Sequence, residues 1–198
     1  MQVFLERDER KVLPIPYWTD GEPERKFFHL KRDPGLAKKI RELAGCAELR
    51  EFVVKVNRRP SRFATLGCDH WIQPSTAPGF KQEAGLYVDL VFDRFEAATK
   101  RRVLEFFERL RERAAAQPAR SKGGGLTIIR VQPQRVAFSE LGPKTAWMLS
   151  IWVFGAGATK AVAASCRARG LALLATLCRL VSRELSAREG DAGTPVPP

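Results

Sequence analysis

The most apolar stretch of the chain lies in its last third and predicts a buried strand followed by a long helix. Residues 146–154 are nearly all apolar, which is typical of a strand covered on both faces. Gly155 and Gly157 follow and predict a turn. An alanine- and leucine-rich run with helical spacing continues to Leu185. We therefore expect this strand and this helix to form the centre of the core.

Shorter patterns along the rest of the chain predict further helices and strands. Asp33 is placed to cap a short helix that ends at Gly45, and Asp93 is placed to cap a longer helix over 95–116. The apolar face predicted for the longer helix consists of Val103, Phe106, Phe107, Leu110 and Ala114. Composition and intervening turn residues predict hairpins over 51–67 and 126–138. The predicted strands are 26–30, 51–57, 62–67, 86–92, 126–131 and 135–138.

The order of these elements predicts the fold class. Because strands and helices do not alternate regularly, we expect an α+β fold, in which about three helices pack on a mostly antiparallel sheet. The ferredoxin-like sandwich is one member of this class. We expect a single domain over 1–186, with 1–50 as a candidate small appendage, and a disordered tail over 187–198.

The net charge of +12 is concentrated in the second half of the chain. Residues 1–99 hold 17 Lys and Arg against 15 Asp and Glu, whereas residues 100–198 hold 17 against 7. Between Arg113 and Arg183 the only acid is Glu140. Such a distribution favours a negatively charged partner, either nucleic acid or an acidic protein. A surplus of arginine also keeps a protein soluble, so the charge alone does not select a function.

Basic residues beside the predicted turns and on the final helix are candidate contacts for nucleic acid. Lys and Arg at hairpin tips and in glycine-rich connectors can contact phosphates, and an exposed Phe63 or Trp71 can stack on a base. No helix-turn-helix, zinc-finger or RNP-type pattern accompanies them. The candidates are Arg58, Arg59, Arg62, Arg120, Lys122, Arg130, Arg135, Arg169, Arg179 and Arg183.

The segment 68–82 is predicted to be a long loop, and it brings Cys68, Asp69 and His70 close together in sequence. A cysteine nucleophile needs an imidazole within hydrogen-bond reach. A metal site would also need His29, the only other histidine, to converge on the same place. Most such residues are structural, so these three remain weak catalytic candidates, and we expect no metal and no cofactor.

Gly155, Gly157 and Lys160 are weak candidates for an anion site. A strand that leads into a Gly-x-Gly turn at the start of a helix can offer backbone N–H groups to a phosphate. The third glycine of a dinucleotide fingerprint and the Gly-Lys-Ser/Thr of a P-loop are both missing. Small residues that let the helix pack closely on the strand explain the pattern better.

Cysteine usage and hydropathy bear on where the protein works. The four cysteines share no CxxC spacing, which predicts reduced thiols and a cytoplasmic location. The longest apolar run, 146–158, has 13 residues, whereas a membrane-spanning helix needs about 20, so we expect no membrane insertion.

The sequence favours a non-enzymatic binding module that contacts nucleic acid through its second half. The alternative is a protein–protein module, such as an inhibitor, immunity or adaptor protein with an acidic partner. A third hypothesis is a nuclease or phospho-ligand enzyme. Nucleic acid requires the basic residues to form a continuous track, whereas an acidic protein requires only one patch.

Overall fold

In a computed structural model of the chain, the described residues form one mixed six-stranded sheet and three α-helices that pack against it. The described residues are 1–6, 12–15, 30–94, 97–121, 123–138 and 145–191, with side chains up to residue 187. The strands are β1 Gln2–Leu5, β2 Val12–Ile15, β3 Phe63–Pro74, β4 Gln82–Phe92, β5 Leu126–Phe138 and β6 Thr145–Gly157. The helices are α1 Ala47–Asn57, α2 Lys100–Ala115 and α3 Lys160–Asp191. The predicted α+β class is confirmed.

The sheet has the strand order β1-β5-β6-β4-β3, and β2 also pairs with β5. The four long strands β3 to β6 pair antiparallel, while the short β1 and β2 run parallel to β5 and follow one another along its outer edge. The predicted mostly antiparallel sheet is therefore confirmed. From β3 to α3 the elements follow in the order β-β-α-β-β-α, which differs from the β-α-β-β-α-β order of the ferredoxin-like fold.

Residues 51–57 belong to α1 and not to the predicted strand. Their β-branched composition favours a strand. Leu49, Phe52, Val53 and Val56 nevertheless recur at helical spacing, and all four are buried. Burial of one helix face outweighs intrinsic propensity, so the hairpin predicted over 51–67 is wrong.

Two segments predicted to be loop or turn lie inside strands. Most of 68–82 belongs to β3 and β4, and only residues 75–81 connect them. The second half of β3 is largely exposed and polar, so it lacks the apolar alternation that marks a strand. The predicted turn at 132–134 lies within β5. Pro133 lies between the part of β5 paired with β1 and the part paired with β2, where a missing N–H is tolerated.

The predicted helix after Asp33 consists of two short 3-10 helices, Pro34–Lys39 and Arg41–Leu43. The Asp33 cap is confirmed, because the backbone N–H of Gly35 donates to Asp33 Oδ1 at 2.9 Å. The predicted strand 26–30 lies outside the described residues except for Leu30.

The second predicted helix is confirmed as α2, and the buried residues of α2 are those predicted for its apolar face. Its cap is Thr99, whose Oγ1 accepts a hydrogen bond from the N–H of Arg102 at 3.3 Å. The predicted Asp93 cap is wrong. Asp93 instead forms salt bridges with Lys31 at 3.6 Å and with Arg62 at 3.8 Å.

The contact between α3 and β6 depends on glycine. A Cβ atom on Gly155 would overlap the carbonyl oxygen of Ala163 and the backbone nitrogen of Arg167. A Cβ on Gly170 would overlap the side chain of Val153. The predicted turn at Gly155 is wrong, since this residue lies in β6 and is in register with both β4 and β5. The glycines allow the helix backbone to lie directly on the sheet.

The helix α3 is continuous past Gly170 and ends at Asp191, so residues 187–191 are helical where the sequence predicts a tail. Residues 192–198 lie outside the described part of the chain. By length and composition, Lys160–Ala187 could cross a membrane, with a mean hydropathy of 1.4 over its most apolar window. A core helix packed on a sheet passes the same test, so the absence of membrane insertion stays a prediction.

We expect Gly155→Ala to lower the free energy of unfolding by about 1–3 kcal/mol, because the added methyl group meets helix backbone that cannot move aside. Urea denaturation followed by tryptophan fluorescence measures the loss. The control is Gly123→Ala, whose Cβ would lie 3.7 Å from the nearest atom of Val162. We expect that control to change stability by less than about 0.5 kcal/mol. Equal stability of the two variants would contradict the role of Gly155.

Candidate binding groove between α1 and α3

A groove with a volume of about 780 Å³ lies between α1, the connection that follows it, and α3. The two helices run in the same direction. Near their starts, Arg167 of α3 pairs with Glu48 of α1, and beyond the end of α1 the N–H of Arg62 donates to Ser182 Oγ at 2.9 Å. The groove therefore has a Glu48 end and an end formed by residues 58–61.

The floor of the groove is apolar and lined by small side chains. Phe52, Val56 and Leu171 are buried beneath it. Ala172 is exposed and Ala175 is half-buried, so these α3 alanines form part of the surface open to a ligand. The floor offers shape and apolar area but few hydrogen bonds.

Four arginines line the other end of the groove. Arg58 and Arg59 follow the last turn of α1, and Arg179 and Arg183 lie four residues apart on α3. All four side chains are exposed, and none forms a salt bridge with a described carboxylate. We call these four residues the arginine cluster. Each of them is among the residues predicted to contact nucleic acid, and the structure brings the four to one place.

At the Glu48 end of the groove, the carboxylates pair with basic residues of the protein itself. Arg167 is only 3% exposed, and it donates to Glu48 Oε1 at 2.5 Å and to the carbonyl oxygen of Gly85 at 3.4 Å. Burial alone would raise the pKa of the Glu48 carboxyl, but the hydrogen bond and charge of Arg167 hold it below its ordinary value. Glu51 pairs with Lys55. Among the described residues of the groove, positive charge without a carboxylate partner is therefore confined to the arginine cluster.

The other predicted basic residues do not extend this cluster into a track. Arg62 is half-buried and pairs with Asp93. Arg169 lies near the Met1 amino group, whose pKa is lowered by burial and by the charge of Arg169. The remaining candidates lie apart from the groove or outside the described residues. Arg120 is exposed before β5, Arg130 pairs with Glu6 at 3.4 Å, Arg135 is exposed on β5, and Lys122 is not described.

Of the two aromatic residues predicted to stack on bases, Phe63 is fully buried, and Trp71 lies on the sheet face opposite the helices. Phe154 alternates with Val153 and Gly155, which face α3, so its ring lies on the other side of β6. Trp71 contacts Phe154 with 6.0 Å between ring centroids, and Arg130 lies over the Phe154 ring at 5.4 Å. The arginine cluster and these aromatics therefore cannot contact the same short ligand.

Cys68, Asp69 and His70 lie on β3 and not in a loop. Cys68 and His70 share the helix-facing side of the strand, while Asp69 alternates to the other side. Burial, with smaller contributions from Glu42 and Asp69, raises the pKa of the Cys68 thiol to about 12. A thiol of this kind is protonated at neutral pH, which does not support a nucleophile.

The metal hypothesis for this segment gains no support from the described residues. The Nδ1 of His70 is 4.0 Å from Asp69 Oδ1, and it has no hydrogen-bond partner in the described structure. His29 lies outside the described residues. In the described part of the chain, no group of three or more His, Cys, Asp or Glu side chains could hold a metal ion.

The anion hypothesis for Gly155, Gly157 and Lys160 rested on a turn that the structure does not contain. Both glycines belong to β6, and Lys160 is the exposed first residue of α3. Thr159 Oγ1 accepts a hydrogen bond from the N–H of Val162 at 3.2 Å, which already satisfies one free donor of the helix start. We therefore place the candidate site in the groove.

Glu48→Gln should destabilise the protein by more than about 1 kcal/mol at pH 7, because it leaves the buried charge of Arg167 without its carboxylate. The folded pKa of Glu48 is lowered, so its stabilisation is present above the ordinary pKa of about 4.3 and is lost as the pH falls through the folded pKa. Urea denaturation between pH 3 and pH 7 should show the difference from the unmodified protein shrinking in acid.

The control for this experiment is Glu51→Gln, which removes an exposed partner of Lys55. We expect it to change the unfolding free energy by less than about 0.5 kcal/mol at every pH. A loss in Glu48→Gln that did not depend on pH would contradict the assigned ion pair.

Alkylation of Cys68 by iodoacetamide at pH 8 should be at least about 100-fold slower in the folded protein than in urea. A pKa of about 12 leaves roughly a thousandfold less thiolate than an ordinary thiol has at that pH. Mass spectrometry of the Cys68 peptide measures the rate, and the buried Cys178 provides a slow reference in the same sample. Fast labelling of Cys68 alone would restore it as a candidate nucleophile.

The groove combines an apolar floor with four unpaired arginines at one end. This arrangement can bind a ligand that carries clustered negative charge beside apolar groups. Binding of this kind involves no chemical reaction.

All four cysteines are free, as predicted. No family model, curated protein or solved structure matches this chain.

Proposed function

We propose that the protein is a non-enzymatic binding module that holds an acidic protein partner in the groove between α1 and α3. The observation that carries this proposal is the convergence of the arginine cluster from two distant parts of the chain. Each guanidinium is exposed and lacks a described carboxylate partner, so a carboxylate of a partner can pair with it without displacing another.

The shape of the basic surface supports a protein partner over nucleic acid. A phosphate backbone is contacted along its length, whereas the arginine cluster is one patch. Single-stranded nucleic acid is usually held by aromatic stacking beside the basic residues. Among the described residues that line the groove, the only aromatic side chain is Phe52, which is 2% exposed. Trp71 and Phe154 lie on the other face of the sheet. An apolar floor suits side chains better than sugar and phosphate.

Nucleic acid remains the second candidate because the net charge is +12 and Arg120 and Arg135 add exposed positive charge elsewhere. If the arginine cluster made four contacts with a duplex, the logarithm of the affinity would fall with the logarithm of the salt concentration with a slope of about −3.6. Additional contacts from Arg120 and Arg135 would make the slope steeper.

The cytoplasmic location and the absence of membrane insertion stay predictions.

Fluorescence anisotropy with two labelled probes tests the proposal. One probe is a glutamate-rich peptide of 18 residues, and the other is a single-stranded DNA of 20 nucleotides, each titrated at 50 and 150 mM salt. We expect the peptide to bind and Arg179→Glu/Arg183→Glu to weaken its binding at least tenfold, because each reversal replaces an attraction by a repulsion. The control Arg120→Glu/Arg135→Glu makes the same charge change away from the groove. It should weaken the binding of the peptide by less than about threefold.

The two candidate functions predict different patterns. If the DNA binds more tightly than the peptide, and both double variants weaken it similarly, the partner is nucleic acid on a diffuse basic surface. If the reversal at Arg179 and Arg183 affects neither probe more than the control does, the arginine cluster is not a binding site.

A further inference from the structure

We infer that the groove receives one amphipathic helix of the acidic partner, with its apolar side chains on the α3 floor and its acidic side chains against the arginine cluster. This inference rests on the proposed function and specifies which kind of segment the partner contributes. It follows from the length of the groove, from its floor, and from the distribution of charge along it.

The dimensions of the groove suit a helix. The α3 residues that line it extend from Ala168 to Ser186, which corresponds to about 27 Å along the helix axis at 1.5 Å per residue. A partner helix of about 18 residues spans the same distance. The alanines at 172 and 175 keep the floor low, and small side chains at a contact allow two helix axes to approach closely.

Other bound forms fit the groove less well. An extended peptide would leave its backbone N–H and C=O groups over an apolar floor, whereas extended peptides normally pair with a sheet edge. A helix satisfies these groups internally and presents one apolar face. A small ligand usually has 70–90% of its surface buried in its pocket, and here Ala172, Arg179 and Arg183 are all exposed along an open groove.

Charge fixes where the acids of the partner helix must lie. At the arginine cluster, an acidic side chain of the partner can form a salt bridge with an unpaired guanidinium. Near Glu48 and Glu51 it would meet other carboxylates, and the basic residues there are already paired with them. The partner helix therefore carries its acids clustered at one end and apolar residues at helical spacing along one face. A helix with acids distributed along its whole length would satisfy only part of the groove.

Two peptides of identical composition test the inference with the full-length protein. The first has leucines at i, i+3, i+4 and i+7 spacing and glutamates clustered at one end, and the second has the same 18 residues reordered so that no apolar face exists. We expect the first to bind at least tenfold more tightly by anisotropy. Its far-UV circular dichroism should also show a gain of helix on binding.

Filling the floor of the groove separates apolar docking from charge attraction. Ala172→Trp adds a bulky side chain at an exposed position. We expect it to weaken binding of the amphipathic peptide at least tenfold and to change the affinity for the glutamate-rich peptide by less than about threefold. The control Ala161→Trp makes the same change at an exposed position of α3 outside the groove, and it should affect neither peptide. If Ala172→Trp does not fold, Ala172→Gln serves the same purpose.

The outcomes distinguish this inference from the proposed function. If the two isomeric peptides bind equally and both depend on Arg179 and Arg183, the acidic partner stands and the amphipathic helix is overturned. If Ala172→Trp leaves the amphipathic peptide unaffected, the floor is not its docking surface and the inference is again overturned. If no peptide binding depends on Arg179 and Arg183, both the inference and the proposed function fail.

Discussion

The direct contact between α3 and the middle of the sheet is the interaction on which the rest of the structure depends. Glycines at 155 and 170 remove the side chains that would hold the helix away from β6. Once α3 lies at this distance, Arg167 reaches both the backbone of β4 and Glu48 of α1. The position of α1, and therefore the width of the groove, follows from how closely α3 approaches the sheet.

The arginines of α3 show how one residue type serves two purposes. Arg167 is buried, so its charge has to be matched by a carboxylate and a carbonyl oxygen, and its role is to join three elements. Arg179 and Arg183 lie further along the same helix, beyond the last turn of α1, where water solvates them. Desolvation of these two guanidinium groups is favourable only if a partner supplies negative charge. The two arginines therefore select partners by electrostatic complementarity.

Long periodic segments could be predicted from the sequence because burial and propensity agree in them. The apolar face of α2 and the pairing of a buried strand with α3 are examples. Residues 51–57 were predicted wrongly because their valines favour a strand, although the apolar residues of this segment also recur at helical spacing. The groove was beyond prediction for a related reason. Arg58 and Arg179 are each recognisable as basic, but they converge only because α1 is a helix that lies alongside α3. The contact that joins these two helices, between Glu48 and Arg167, spans 119 residues of sequence.

The central place of β6 in the sheet has a consequence for how the chain acquires its structure during synthesis. Both β4 and β5 pair with β6, so each keeps an open hydrogen-bonding edge until residues 145–157 have left the ribosome. The helix that covers their apolar face follows later still. At about 5–20 residues per second, a nascent chain passes several seconds with strand edges exposed. The sheet can therefore close only after β6 has been synthesised, and until then these edges are open to pairing with other chains.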